Sequence, residues 1–148
     1  MAHEWIEVDG LGGFASGTTD LVRTRRYHAL LLSATTTPTG RFVLVNGFDA
    51  HVTTASSAYA LSSQRYGPDV IHPDGASRIE AFESDPWPSW RYRVDDGVAI
   101  QHSVFVVRER PITVLRWRAI RGSGPLRLTA RIFIAARDYH SLQHENGA

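Results

Sequence analysis

From Leu126 to Ala136, apolar residues occupy every second position: Leu126, Leu128, Ala130, Ile132, Ile134 and Ala136. Arg127, Thr129, Arg131 and Arg137 fall on the other face, and Phe133 breaks the pattern. A period of two belongs to a strand with one packed and one solvated side. The same pattern recurs at Ile112–Ile120, with Thr113, Leu115, Trp117 and Ala119 on one face and Arg116 and Arg118 on the other. Arg78–Phe82 and Trp90–Val94 alternate over shorter stretches, and Asp95-Asp96-Gly97 is a hairpin turn signal with Val98–Val107 as the returning arm. No window carries a long helical period. Strands of this kind separated by turns predict an all-β fold, an antiparallel β-sandwich, in one domain spanning 1–148.

The N-terminal half is read less directly. Residues 1–26 read as a short extended lead-in and a Gly-rich loop, because four of the twelve glycines, Gly10, Gly12, Gly13 and Gly17, fall within eight positions. Tyr27–Thr35 is an apolar run, and Arg41–Asn46 has strand composition. Gly47 is expected to interrupt it, with His51–Thr54 as a partner, and Tyr59–Ser62 as a further short strand. Residues 65–76 read as turns, through Gly67-Pro68-Asp69 and His72-Pro73-Asp74-Gly75.

Composition removes several chemistries. There is no cysteine, hence no disulfide, thiolate nucleophile or cysteine zinc site. All sixteen basic residues are arginine, so lysine-amine chemistry is absent as well. A net charge of +1 gives no general attraction to nucleic acid or membrane. No apolar run reaches the roughly 20 residues of a membrane span, and the N-terminus lacks a signal-peptide pattern. A cytoplasmic protein is the expectation.

Gly10-Leu11-Gly12-Gly13-Phe14-Ala15 fits a dinucleotide-binding glycine pattern, but no helix follows to receive a pyrophosphate. Thr18 stands where a P-loop needs its lysine. His140 and His144 are four apart without the further ligands of a metal site. Asp9, Glu83, Asp85 and Asp138 are isolated carboxylates, whereas glycoside hydrolysis usually uses a facing pair. No cofactor and no metal are expected. Trp117 alternates with Leu115 and reads as core. For Trp87 and Trp90, beside prolines, core packing and stacking on a sugar ring both stand. Arg25-Arg26-Tyr27-His28 is the densest polar group; a salt-bridged strand start and a binding cluster both fit it.

Several motifs then occur in a recognisable order: Glu4-Trp5, Asp9-Gly10-Leu11-Gly12-Gly13-Phe14-Ala15-Ser16-Gly17-Thr18, and Thr24-Arg25-Arg26-Tyr27-His28-Ala29-Leu30-Leu31. Gly40-Arg41, His72-Pro73-Asp74-Gly75, Phe82, Pro88-Ser89-Trp90 and Arg137-Asp138-Tyr139-His140 follow. This order resembles the N-terminal domain of bacterial and archaeal glycogen debranching enzymes. Asp9 stands where that family typically has asparagine, and Ala29 where it has glycine.

The resemblance implies a supersandwich that precedes an (α/α)6 barrel with amylo-α-1,6-glucosidase activity. The barrel is expected to be absent from this chain, and the sandwich to be incomplete relative to the family domain. Its implied partners are that barrel, in the same or a neighbouring chain, and an α-glucan such as glycogen or a maltooligosaccharide. The candidate sugar-binding residues are Arg25, Arg26, Tyr27, His28, Trp90, Arg137, Asp138 and His140; none is assigned to catalysis. Two alternatives stand beside this one: an independent lectin-like sandwich with Trp87 and Trp90 as platform, and a structural module without ligand. Unpaired strand edges lead to an expectation of self-association.

Overall fold

The computed structural model describes residues 2–95 and 97–142. Asp96, in the expected hairpin turn, and His144 lie outside them. Among the described residues, twelve strands and one short 3-10 turn, Ala76–Arg78, make up the regular structure. β1 (Glu4–Val8), β2 (Phe14–Thr18), β3 (Ala29–Thr36), β4 (Gly40–Thr53) and β12 (Arg127–Asp138) form an antiparallel sheet in that order, and β5 (Ala58–Ala60) adds to β4. β11 (Thr113–Arg121), β10 (Val98–Val106), β9 (Ser89–Asp95) and β8 (Ile79–Glu83) form the second sheet. β6 (Ser63–Gly67) and β7 (Val70–Asp74) are a separate hairpin.

The two larger sheets pack face to face as a sandwich. Trp5, Leu30, Phe48, Ala50 and Val52 from the first meet Trp90, Tyr92, Val94, Ile100 and Val104 from the second. The face read at Thr113, Leu115, Trp117 and Ala119 is the inward one, since these residues pair with Val106, Val104, His102 and Ile100. One aromatic row runs across all four strands of the second sheet. Phe82 pairs with Trp90, Trp90 with His102, and His102 with Trp117. The His102 ring is stacked between Trp90 (5.3 Å) and Trp117 (4.6 Å). Phe48 covers it edge-on at 5.2 Å, and Trp5 meets Trp90 edge-on at 5.6 Å.

Three expectations are corrected. The Gly-rich stretch is not all loop: its second half is β2, paired in register with β1 from Glu4↔Thr18 to Val8↔Phe14. Gly47 does not end a strand, because β4 runs through it for 14 residues, and His51–Thr53 continue β4 instead of pairing with it. The missing side chain at Gly47 makes room for the Arg23 guanidinium. That guanidinium donates to Gln64 Oε1 (2.8 Å) and lies 5.7 Å from the ring of Phe133, which pairs with Gly47. The odd aromatic of β12 thus lies against the arginine that fills the space Gly47 leaves. Finally, 65–76 is mostly the β6–β7 hairpin, because Arg65 and Tyr66 precede the turn and Val70 and Ile71 follow it.

The glycines of the first hairpin serve its own folding. The Asp9 carboxylate accepts from the backbone N–H of Leu11 (2.7 Å) and of Gly13 (2.9 Å), which closes the turn. An asparagine oxygen would accept the same two bonds. A Cβ on Gly13 would collide with that carboxylate and approach the Leu32 carbonyl oxygen to 2.7 Å; one on Gly12, at φ +98°, would come as close to the Pro38 carbonyl. Gly13→Ala is therefore expected to lower stability by about 1–3 kcal/mol, the usual cost of forcing atoms into a filled site. A thermal melt measures it. A melting temperature equal to the parent's would show that the hairpin relaxes freely.

Candidate functional site

The two polar segments, whose hydrogen-bonded residues lie 111 and 114 positions apart in the chain, meet at the surface. Arg26 Nη1 donates to the carbonyl of His140 (2.8 Å), and Arg137 Nη2 donates back to the carbonyl of Arg26 (2.6 Å). Arg137 Nη1 also reaches the Ser141 carbonyl at 2.7 Å. Asp138 Oδ1 accepts from the His140 N–H at 2.8 Å, which holds the end of β12 in a tight bend.

The rings converge as well. Tyr27 lies 5.5 Å from Tyr139 and 6.3 Å from His140, and Tyr139 lies 3.9 Å from His140. Arg26 sits over Tyr27 at 5.1 Å, and Arg41 over Tyr139 at 5.6 Å. Arg41 Nε also bonds the Gly12 carbonyl at 2.7 Å, which ties the glycine hairpin to the cluster.

A second, smaller apolar core supports this surface. Ala29 and Leu32 from β3, Val43 from β4 and Ala135 from β12 are buried together, with Phe14 and Tyr139 packed against them. Two register shifts in β12, after Phe133 and after Ile134, turn its side chains over. Ala135 is thereby buried and Ile134 is left 84% exposed, against the regular alternation of the sequence. Tyr139 is thus held from below, while Arg26, Asp138 and His140 are exposed and Tyr27 and Arg137 half-buried.

His28 has a different task from its neighbours. Its side chain is 4% exposed. Nδ1 accepts from the backbone N–H of Thr24 (3.1 Å), so Nε2 carries the proton and faces Glu4 Oε1 at 3.3 Å. Arg25 Nε closes on the same carboxylate oxygen. Burial pushes the imidazole below its ordinary pKa, while the Arg25 hydrogen bond, ahead of the other effects, holds Glu4 low. His28 and Arg25 therefore tie the 24–28 bend to β1. Trp90 departs further from the expectation. It is wholly buried, its Nε1–H donates to the Thr19 carbonyl at 2.8 Å, and its faces are taken by its neighbours in the aromatic row. It offers no face to a ligand, and the stacking reading of Trp90 is set aside. Trp87 is half-buried against Phe105 at 5.1 Å.

Five expected residues, Arg26, Tyr27, Arg137, Asp138 and His140, thus share one surface. Tyr139 and Arg41 join them; each stands inside a motif already singled out, and only the bend after β12 shows that their side chains belong to the cluster. Arg26, Arg41 and Arg137 pair with no carboxylate among the described residues. Among the described residues Asp138 is the only acid of the cluster, and no second carboxylate faces it. No group of three or more metal-binding side chains occurs among the described residues. No helix there is long and apolar enough to cross a membrane.

Fold and site together define an all-β sandwich module with an arginine- and aromatic-rich surface patch. Residues 3–148 match the family model described as glycogen debranching enzyme N terminal, and the chain belongs to that family. No curated protein and no solved structure gives a match.

Proposed function

We propose that this chain is the non-catalytic N-terminal module of a glycogen debranching enzyme, serving an amylo-α-1,6-glucosidase in glycogen catabolism. It packs on the catalytic barrel and contributes an α-glucan contact through Arg26, Tyr27, Arg137, Asp138, Tyr139 and His140. The observation that carries this reading is the meeting of the Arg26 and Arg137 segments through two reciprocal bonds to backbone carbonyls, beside the half-buried Tyr27 and Tyr139 rings and the exposed His140 ring. Sugar rings present C–H faces to aromatic rings and hydroxyls to charged donors, and this surface supplies both. A lectin-like module built on Trp87 and Trp90 finds no support in the burial of Trp90.

Calorimetric titration of the chain with maltoheptaose and with glycogen tests the sugar contact. Saturable binding is expected, weakened about tenfold by Tyr139→Ala and unchanged by Trp87→Ala; tenfold corresponds to about 1.4 kcal/mol. Equal binding by parent and Tyr139→Ala would end the assignment. Pure chain is expected to release no glucose from branched dextrin, and measurable release would overturn its non-catalytic role.

A further inference from the structure

We infer that the crevice beside Arg23 binds a small carboxylic acid with a short, unbranched aliphatic tail, its carboxylate on the guanidinium and its tail inside. The inference is independent of the sugar reading. β3 and β4 stay paired as far as Leu31↔Val45 and then part, since Ala29 and Leu30 have no partner on β4. Residues 61–64 bond to β4 beyond that point. The Leu61 N–H donates to the Ala50 carbonyl and Gln64 Nε2 to the Phe48 carbonyl, each at 2.8 Å. A wedge of space is left where the strands part, and no residue of β11 or β12 lines it.

The wedge is mainly apolar. Trp5, Leu21, Ala29, Leu30 and Phe48 line it, around a cavity of about 40 Å³. On the scale where one water takes roughly 10–15 Å³, that is room for about three water-sized groups. Water finds few hydrogen-bond partners against such walls, whereas methylene groups need none. A tail of about three carbons matches the space.

Arg23 supplies the other half of the site. It lines the same cavity, and its Nη2 donates to Gln64 Oε1 at 2.8 Å. Gln64 is buried and its amide is oriented by the Phe48 carbonyl, so a fixed neutral acceptor holds the guanidinium in place. No carboxylate pairs with Arg23 among the described residues, and its other N–H donors make no hydrogen bond there. Burial, ahead of the other effects, pushes the guanidinium below its ordinary pKa, and the nearby Arg137 adds to the effect. An arginine stays protonated even so, and its planar fork of donors fits a carboxylate. The ligand's carboxylate would bring the opposite charge that the fold does not provide.

Proton–nitrogen correlation spectra of the full chain, titrated with butyrate, test this. Saturable shifts are expected at the Trp5 indole N–H and the Arg23 Nε–H, with a Kd on the order of 1 mM for a ligand of about six heavy atoms. 1-Butanol keeps the tail and formate keeps the charge; each should bind at least about tenfold more weakly than butyrate. Arg23→Gln should weaken butyrate binding by a similar factor, with a melting curve to show that it folds. Should that variant fail to fold, the parent's preference for butyrate over both controls decides alone. Equal binding of butyrate and either control would overturn the proposal, as would no saturation at about tenfold that Kd. So would folded Arg23→Gln that binds butyrate as tightly as the parent.

Discussion

Truncating Trp90 to alanine is expected to remove about 3–5 kcal/mol of stability, the usual cost for a buried tryptophan. That is a large share of the total for a domain of this size. The residue sits at the junction of both sheets. Its ring meets Phe82 at 5.1 Å, His102 at 5.3 Å and Trp5 at 5.6 Å, and its N–H satisfies the Thr19 carbonyl in the turn after β2. Removing it opens a cavity, interrupts the aromatic row and leaves that carbonyl unpaired. Trp87→Ala, at a half-buried position against one ring, should cost much less. Urea unfolding of both variants compares them directly. If Trp87→Ala proved the costlier change, the position of the core derived for Trp90 would be wrong.

Acidification should weaken the fold in a defined window. His102 is fully buried, and its Nδ1–H donates to the Arg116 carbonyl at 3.2 Å. The remaining nitrogen, Nε2, is buried and has no hydrogen-bond partner. A proton there would place a charge between two indoles, so burial lowers the imidazole from 6.5 to about 4. Between those values the unfolded chain binds a proton that the folded chain refuses. Stability is therefore whole above about pH 6.5 and falls as pH drops toward 4, by about 3 kcal/mol from this residue alone. The buried His28 acts with the same sign. Urea midpoints across this range should decline in the parent and decline less in His102→Phe, which keeps a ring in the row without a titrating nitrogen. Parallel curves for the two proteins would rule out His102 as the cause.

The legible parts of the sequence were those where local chemistry and packing agree. The β9–β10 hairpin pairs as Asp95-Asp96-Gly97 indicated, and the inward face of β11 is the one its alternation marked. Other features depend on distant partners. Gly47 looks like a strand breaker until Arg23 is seen lying over it. Gly12 and Gly13 look like a ligand cradle until Pro38 and Leu32 occupy the space beside them. The regular period of β12 conceals register shifts, because alternation says nothing about where a partner strand gains or loses a residue. At the site, the motifs brought Arg26, Tyr27, Arg137, Asp138 and His140 into view. The division of labour between Tyr27 and the adjacent His28, one turned outward and one tied to Glu4, needed the bend around Thr24.

The pairing of β12 with β4 also carries a consequence for assembly. The second sheet is a run of consecutive strands, β8 to β11, each closing on its immediate predecessor, so its contacts are short-range in the chain. β12 instead returns to a strand that ended before Thr54, with seven other strands in between. Loop closure of that length delays the pairing relative to the local hairpins. Arg137 to Ser141 reach Arg26 and Tyr27 only once β12 is seated, so the joining of the two segments is a marker of β12 docking: a chain stalled before that step would carry every residue of the patch and none of the contacts between its two segments.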